Sequence, residues 1–405
     1  MRLLHILSQR PGRSGSGVFL VAMVREAARR GYEQHVIAGG PPGTSAAEVS
    51  VDEDEFSPIV FPSPDAPFPV PGNSDVMPYP TTIFSEMTPL QVEQYLARSR
   101  WVMEEVRERF RPQMVHTHHL WLMTALAREV FADVPVVATS HNAELRQAVK
   151  APHLLPFVLG GVRALDKVCV LTPQSVADTV ECFGVRPERI AVCGAGFRDD
   201  VFHFADGRRE GENPVTFVGR LSTSKGIPFL LEAADRFQVL LVGASGSGAD
   251  GRKMDELVAA AGPRVRHVGA QPQEEIARIL QGSAVFVLPS LFEGLPLTML
   301  EALACGCPAV VSGLPTIQSW IPAEWREAGD IELVAPLQTT LADLPVPADV
   351  PRFVADLAGA IEPQLLRGHA SERRRALAEK LLPHTWSAVF ERYEGVYREL
   401  AGTGR

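Results

Sequence analysis

The sequence predicts an α/β protein made of two doubly wound domains. Apolar runs of strand length alternate with helix-period segments along most of the 405 residues, which is the pattern of parallel sheets covered by helices. The alternation stops at a polar stretch, Gly207–Asn213, and starts again at Val215–Val218. A chain of this length holds about two domains of ordinary size. We therefore assign residues 1–206 to an N-terminal domain and residues 207–385 to a C-terminal domain.

The first half opens with a strand–helix–strand unit. Leu3–Leu7 is a strand, a helix runs from Gly15 to Arg30, and His35–Ala38 is the next strand. Such a unit implies parallel pairing. Further strands are expected at Met114–Thr117, Val134–Thr139, Lys167–Leu171 and Ile190–Val192.

Two segments between these strands have recognisable sequence patterns. Ser57–Pro80 contains eight prolines, which predicts an ordered surface loop without regular structure. Thr88 and Gln91 have the spacing of a capping box around a proline, and a helix is expected from there to Phe110.

The second half repeats the βα pattern. Its strands are expected at Val215–Val218, Val239–Val242, Val265–Val268, Val285–Leu288 and Ala309–Ser312. An amphipathic helix is expected at the C-terminus, over Trp386–Leu400.

Composition narrows the class of protein. Hydrophobic residues make up 46% and charged residues 21%, which is typical of a globular protein. The net charge of −9 argues against general nucleic-acid binding. Five cysteines without disulfide spacing predict a reducing, cytoplasmic location. No stretch approaches the ~20 apolar residues of a membrane span.

A basic loop follows the first strand of the second half. Gly219–Gly226 contains Arg220 and Lys225, and ligands of open α/β sheets bind at the carboxyl ends of strands. Two cations there suit a diphosphate. The alternative is a turn with two solvated surface cations.

The segment Pro289–Pro308 carries the strongest signal. Glu293 and Glu301 stand eight residues apart, and a helix is expected to begin near Leu297. The N-terminus of that helix would offer unpaired N–H groups to a phosphate. The structural alternative is a capping box formed by Thr298 and Glu301.

Pro289–Pro308 resembles the E-x7-E signature of retaining glycosyltransferases of the GT-B fold, in particular family 4, also called group 1. Gly219–Gly226 resembles the G-R-x-x-x-x-K-G motif of the same family. The resemblance implies two Rossmann-like domains that face a central cleft, with the acceptor on the N-terminal domain. It also implies that the helix at 386–400 packs back on that domain. The implied reaction moves a sugar from a nucleotide diphosphate, UDP by default, without a metal ion or cofactor.

Site residues follow from the resemblance position by position. Arg220 and Lys225 would hold the diphosphate, Glu293 the sugar hydroxyls and Glu301 the ribose, while Val268–Gln271 would pack the base. The implied donor-binding residues are Gly15, Gly219, Val268, Gly269, Gly294, Leu295, Leu297, Thr298 and Glu301. The implied catalytic residues are His141, Glu293, Arg220 and Lys225.

Three features of the first half also match. Ser14–Gly17 resembles the glycine loop of the family, although an ordinary tight turn is equally compatible. His141 resembles a histidine that hydrogen-bonds the donor sugar, whereas a lone histidine after a strand is more often structural. His118, His119 and Arg146 are assigned to the acceptor.

Two patterns in the first half imitate metal sites. His116 and His118 lie on one face of a strand but have no evident carboxylate or cysteine companion, and acceptor binding or packing is favoured. Asp52–Asp54 imitates a metal-binding D-x-D within an acidic surface run. We expect no metal site.

The match also has departures. Cys193–Phe197 replaces the P-N-G-V-D usual in the family, Gly17 replaces an acidic residue, and Gly243–Gly248 replaces a shorter turn. Gly243–Gly248 could instead be the fingerprint of an NAD-dependent oxidoreductase, although its spacing is G-x-x-G-x-G. A nucleotide-sugar epimerase, a sugar phosphorylase and an inactive binding module are further alternatives. The donor sugar, the acceptor and the oligomeric state stay open.

Overall fold

The chain divides into two compact units in the computed structural model. The first unit is Met1–Ala195 with the C-terminal helix, and the second is Gly196–Thr385. The structure describes residues 1–12, 14–75, 77, 79–206, 215–246, 248–340, 344–367 and 370–402. The predicted linker Gly207–Asn213 lies outside the described residues. The boundary falls after Ala195 and not after residue 206 as predicted, because the turn at Gly196–Phe197 already contacts the second unit, where Phe197 pairs with Thr385.

The first unit contains a parallel sheet of seven strands in the order β3-β2-β1-β6-β7-β8-β9. Its strands are β1 (Arg2–Leu7), β2 (Glu33–Gly40), β3 (Phe56–Val60), β6 (Met114–His118), β7 (Val136–Thr139), β8 (Lys167–Val170) and β9 (Ile190–Val192). A separate two-stranded parallel sheet pairs β4 (Pro71–Gly72) with β5 (Thr82–Ile83). The helices are α1 (Gly15–Arg29), α2 (Pro89–Phe110), α3 (Leu122–Val130), α4 (Ala143–Lys150), α5 (Leu155–Val162) and α6 (Gln174–Phe183).

The proline-rich segment differs from its prediction in two ways. Part of it forms β3, which tolerates Pro58 because β3 is an edge strand. The rest is not a surface loop, because large apolar side chains from it enter the core of the first unit. The buried side chains are Phe61, Phe68, Val70, Met77 and Tyr79.

The second unit contains a parallel sheet of six strands in the order β12-β11-β10-β13-β14-β15. Its strands are β10 (Val215–Val218), β11 (Val239–Val242), β12 (Val265–His267), β13 (Val285–Leu288), β14 (Ala309–Ser312) and β15 (Ile331–Val334). Its helices are α7 (Ile227–Ala233), α8 (Gly248–Ala260), α9 (Gln273–Gly282), α10 (Leu297–Ala304), α11 (Pro315–Trp320), α12 (Ala323–Glu327), α13 (Val350–Leu366) and α14 (Ser371–Glu379).

The last helix, α15 (Trp386–Gly402), packs on the first unit. Its Tyr393 and Tyr397 are fully buried, and Trp386 contacts Phe19 of α1 edge to face. Within the described residues, we find no helix that is both long and apolar enough to cross a membrane.

Candidate functional site

The two sequence motifs of the second unit meet at the point where its strand order reverses. β10 lies between β11 and β13, so the chain leaves β10 toward one side of the sheet and later returns on the other side. Ligands of doubly wound sheets bind at the carboxyl ends of the strands at such a point. Lys225 follows β10, and Glu293 follows β13.

A tight turn brings Lys225 to the loop after β13. The Ser222 hydroxyl accepts from the Lys225 backbone N–H at 3.3 Å and caps a short 3₁₀ turn. The backbone N–H of Leu291 donates to the Ser224 carbonyl at 2.9 Å, which ties the two loops together. Gly226 has a φ of +76°, and a Cβ there would lie 2.0 Å from the Pro289 carbonyl oxygen. Only glycine permits this approach.

Lys225 and Glu293 form an ion pair. The Lys225 Nζ lies 2.5 Å from Glu293 Oε1, and the Ser290 hydroxyl donates to the same oxygen at 2.7 Å. The Thr316 hydroxyl donates to the Glu293 carbonyl at 2.9 Å, which fixes the main chain. Glu293 is buried, whereas Lys225 is a quarter exposed. Arg220 is half-buried directly after Gly219, at the end of β10.

The helix α10 begins beside this pair. Its N-cap is Pro296, which provides no side-chain cap, and Gly294 and Leu295 lead into it. Among the described residues, no acceptor pairs with the backbone N–H groups of Leu297 and Thr298. These N–H groups, at the positive end of the helix dipole, suit an anion.

Glu301 lies inside α10 and is not part of a capping box. Thr298 is already helical, so it cannot occupy the N-cap position that the structural alternative requires, and that interpretation is wrong. Glu301 is 8% exposed, and its carboxylate has no hydrogen-bond partner among the described residues. Burial raises the pKa of Glu301 to about 7. A buried carboxylate without donors is expected where a ligand supplies them.

The predicted base-packing turn lies at the neighbouring strand ends. Val268 and Gly269 follow β12, and the Gly243 backbone N–H donates to the Gly269 carbonyl at 2.8 Å. The His267 Nε2 lies 2.7 Å from the Gly243 carbonyl oxygen. The Gln271 amide donates to the Val268 carbonyl at 2.6 Å. This set of contacts holds the turn against the end of β11.

The first unit has a site of its own at its point of strand reversal, between β1 and β6. Ser14 caps α1, and its hydroxyl accepts from the Gly17 backbone N–H at 3.2 Å, with Gly15 between them. The Ser16 hydroxyl lies 3.0 Å from His119 Nε2. His119 has a φ of +69°, which is uncommon for a residue with a side chain and typical of functional sites.

His141 follows β7 and joins this group. Its Nε2 lies 3.2 Å from His118 Nδ1, and its ring contacts Phe19 edge to face. Burial, and then the neighbouring histidines, hold the pKa of His141 well below its usual value. His141 is therefore neutral, which suits hydrogen bonding to a sugar hydroxyl and not charge stabilisation.

Glu144 connects these histidines. It is fully buried on α4, and its carboxylate accepts from the backbone N–H groups of His141 and Leu120 at 3.1 and 3.2 Å. His119 Nδ1 lies 3.2 Å from its other oxygen. Burial alone would raise the pKa of Glu144, but these interactions outweigh it and lower the pKa to about 2. Arg146 lies on the same helix and is half-buried.

The structure adds His5 to the histidine pair that the sequence singled out. His5, His116 and His118 each place a ring nitrogen within 4.8 Å of the others. Both nitrogens of His116 already have partners, with Tyr397 Oη at 2.6 Å and Thr139 Oγ1 at 2.7 Å. These contacts favour packing over ligation, and the absence of a metal stays a prediction.

Two family models match adjacent stretches of the chain. The model of Glycosyltransferase Family 4 matches residues 13–200, and the model of Glycosyl transferases group 1 matches residues 199–321. Both halves of the chain are thus similar to glycosyltransferases. The oxidoreductase interpretation of Gly243–Gly248 is therefore set aside.

Curated relatives agree with this assignment. D-inositol 3-phosphate glycosyltransferase of Mycobacteroides abscessus is 32% identical over 241 residues, which cover 52% of this chain and 54% of the relative. The enzyme of the same name from Kribbella flavida is 30% identical over 259 residues, which cover 54% and 60%. The matched part thus spans little more than half the length of these relatives.

Solved structures show the fold. Sucrose-phosphate synthase from Thermosynechococcus elongatus matches with a TM-score of 0.69 at 20% identity, over 100% of both chains. Anabaena Alr3699/HepE, in complex with UDP and glucose, matches with a TM-score of 0.65 at 15% identity, over 98% of this chain and 100% of that chain. The chain therefore has the GT-B fold, as predicted.

Proposed function

We propose that this glycosyltransferase moves a glycosyl group from a uridine diphosphate sugar to an acceptor hydroxyl, with retention of configuration and without a metal ion. The observation that carries the donor half is the buried, unpartnered carboxylate of Glu301, one turn into a helix whose first N–H groups are unpaired within the described chain. A ribose supplies the missing hydroxyl donors, and a diphosphate supplies the anion for the helix N-terminus.

The neighbours support uridine as the base. HepE structures are described as complexes with UDP, with UDP and glucose, and with UDP-glucose. The relatives named D-inositol 3-phosphate glycosyltransferase support a small hydroxylated acceptor, although they match this chain over only about half its length.

The reaction needs little covalent chemistry from the protein. The bond between the anomeric carbon and the diphosphate oxygen breaks, and the acceptor oxygen bonds to the same carbon on the same face. The acceptor proton passes to an oxygen of the leaving phosphate. Arg220, Lys225 and the N–H groups of Leu297 and Thr298 stabilise the charge that develops there. No carboxylate becomes a covalent nucleophile.

The remaining groups position the sugar and the acceptor. Glu293 accepts from sugar hydroxyls once the diphosphate attracts Lys225, and neutral His141 donates to or accepts from another hydroxyl. His118, His119 and Arg146 belong to the acceptor side. We place the enzyme in the cytoplasm, since all five cysteines are free.

The test is calorimetric titration of UDP into the wild type, Glu301→Gln and Glu293→Gln, together with UDP-glucose turnover. Glu301→Gln should weaken UDP binding by about 10-fold or more, because a charged acceptor is lost. Glu293→Gln should bind UDP at least as well as the wild type while turnover falls, because Glu293 is assigned to the sugar and its loss releases Lys225 from a competing ion pair. Normal binding and normal turnover in both variants would remove the basis of the proposal.

Metal independence is tested in the same assay. Turnover should persist in EDTA and should not depend on added Mg²⁺. A complete loss of transfer that Mg²⁺ restores would contradict the proposed mechanism.

A further inference from the structure

Two buried amide oxygens in the first unit lack hydrogen-bond partners among the described residues. They are Oδ1 of Asn73, in the proline-rich segment, and Oε1 of Gln147, on α4. The two residues are 3% and 2% exposed and touch each other, because the Gln147 amide N–H donates to the Asn73 backbone carbonyl at 3.2 Å. An unpaired buried oxygen costs about as much as a lost hydrogen bond, so a pair of them points to missing donors.

The surrounding contacts fix which end of each amide is unpaired. The Asn73 Nδ2 faces two oxygens, Ser8 Oγ at 2.8 Å and Gln9 Oε1 at 3.3 Å. The Gln147 Nε2 likewise faces the Asn73 carbonyl and, at 3.4 Å, Asp75 Oδ1. Reversing Asn73 would set its oxygen against Gln9 Oε1, and reversing Gln147 would set its oxygen against the Asn73 carbonyl, so the unpaired atoms are acceptors and require donors.

A continuous hydrogen-bond network joins this pair to the neighbourhood of His141. Gln9 Oε1 accepts from the Asn73 backbone N–H at 3.2 Å, and Gln9 Nε2 donates to Ser16 Oγ at 2.9 Å. Ser16 contacts His119, which in turn contacts Glu144. Gln147 lies three residues after Glu144 and therefore on the same face of α4.

Of the other buried polar atoms without partners in the described chain, His118 Nε2 also lies beside His141, but most do not share this setting. Tyr95 Oη and Gln364 Oε1, for example, are unpaired but belong to no such network at strand ends. The amide pair is distinguished by mutual contact and by its link to the glycine loop and to His141.

We propose that Asn73 Oδ1 and Gln147 Oε1 form a subsite that accepts hydrogen bonds from the hydroxyl groups of a polyhydroxylated acceptor. This inference rests on the proposed function and adds the chemical class of the acceptor. The two amide oxygens carry partial negative charge and repel an anion, so a phosphate or carboxylate of the acceptor does not occupy the subsite. An aliphatic alcohol cannot satisfy both oxygens.

The subsite has a structural reason to be in place before the acceptor arrives. Asp75 Oδ2 forms an ion pair with Lys150 Nζ at 2.5 Å, and the Tyr79 hydroxyl accepts from the Arg10 backbone N–H at 3.1 Å. These contacts attach the proline-rich segment to α4 and to the end of β1. These contacts hold the two oxygens in place, and both oxygens are shielded from solvent in the free enzyme.

The experiment measures UDP release and glycosylated product from UDP-glucose with three probes. Myo-inositol is a six-membered carbon ring with a hydroxyl on every carbon, methyl α-glucoside is a second polyol, and cyclohexanol is the same ring as inositol with a single hydroxyl. At least one polyol should give saturable transfer or saturable inhibition of donor hydrolysis. Cyclohexanol should be at least about 100-fold poorer, because it leaves the amide oxygens unpaired.

The variants are Gln147→Met and Asn73→Ala, and the matched control is Gln34→Met. Gln34 is also buried, but both ends of its amide are paired, with His5 and with the Val24 carbonyl. Each subsite variant should raise the apparent KM or Ki for the polyol by roughly 2- to 12-fold. The control should leave that constant unchanged, and UDP affinity should be normal in all three variants.

Separate outcomes identify which idea fails. If the wild type does not bind UDP, the proposed donor function is wrong. If UDP binds but neither polyol has a saturable effect at ~100 mM, or cyclohexanol matches them, the subsite is wrong. The subsite is also wrong if both subsite variants fold and keep the wild-type KM or Ki for the polyol, since the two oxygens would then bind ordinary buried water.

Discussion

The Lys225 ammonium lies 2.5 Å from the Glu293 carboxylate, although the two residues are 68 positions apart in the chain. In the free enzyme the group proposed to bind diphosphate thus neutralises the group proposed to bind the sugar. Donor binding would exchange this pair for two contacts with the ligand. A preformed pair also keeps a buried carboxylate compensated when the site is empty.

Replacement of Lys225 by methionine should affect activity and stability separately. kcat/KM for the donor should fall by about 10- to 150-fold, because a charged hydrogen bond to the diphosphate is lost. Unfolding free energy should fall by about 1–3 kcal/mol, because Glu293 loses its partner while Lys225 itself is partly exposed. Denaturant unfolding and steady-state kinetics measure the two effects.

The double variant Lys225→Met/Glu293→Gln is the control for this prediction. It removes the uncompensated charge, so most of the lost stability should return while activity stays low. Recovery of activity in the double variant, or unchanged donor kinetics in the single one, would exclude Lys225 from the donor site.

The sequence predicted most strands of both sheets for a physical reason, but it missed the edge strands β3 and β15. Strands of parallel sheets are buried on both faces, so they appear as continuous apolar runs, and the runs at Val215–Val218 and Val285–Leu288 match the observed bounds. The capping box at Thr88 predicted the start of α2 correctly. The proline-rich segment was harder, since proline count reports backbone restriction and does not report that Phe61 and Phe68 are buried.

The candidate site was only partly predictable for a different reason. Lys225 and Glu293 carry motif signals, but their contact depends on β10 lying beside β13. Glu144, Asn73 and Gln147 are single polar residues without a periodic signal. Their role can be inferred only from the folded structure, in which they lie close together and are buried. Sequence spacing does not report such burial.

Binding of UDP should release protons near neutral pH. Burial raises the pKa of Glu301 to about 7, whereas two ribose hydroxyl donors favour its ionised form and lower that pKa. Calorimetry in buffers of different ionisation enthalpy should show release of up to about one proton per UDP at pH 6–7. UDP affinity should therefore weaken as the pH falls below about 7. Glu301→Gln should abolish the release, and an identical buffer dependence in that variant would contradict the assignment.

Glu301 should also affect the stability of the free enzyme. Its folded pKa is raised above the ordinary value of 4.5, so its contribution is fully present below pH ~4.5 and is lost as the pH rises through about 7. Relative to Glu301→Gln, the unliganded wild type should lose about 1–3 kcal/mol between pH 5 and pH 8. A pH-independent difference between the two proteins would show that Glu301 is not buried in its neutral form.

Glu144 should show the opposite dependence on pH. Its pKa is lowered to about 2, so its stabilising contribution is present above the ordinary value of 4.5 and is lost as the pH falls toward 2. Glu144→Gln should lower the unfolding free energy by about 1–3 kcal/mol at pH 7, because two backbone N–H groups and His119 lose a charged acceptor. The difference from wild type should shrink in acid. A constant difference down to pH 3 would show that the contribution is packing alone.

Gly226→Ala tests whether the approach of the two loops builds the donor site. The new Cβ would lie 2.0 Å from the Pro289 carbonyl oxygen, so the Lys225 turn and the Glu293 loop would have to separate. Gly262→Ala is the matched control, since Gly262 has a similar φ of +67° but a Cβ added there would meet nothing within 4 Å. The control should lose only about 1 kcal/mol from backbone strain and keep wild-type kinetics. Gly226→Ala should lose at least about 2 kcal/mol and lower kcat/KM at least as strongly as Lys225→Met. Equal stability and equal activity of the two alanine variants would show that the close contact at Pro289 does not position Lys225.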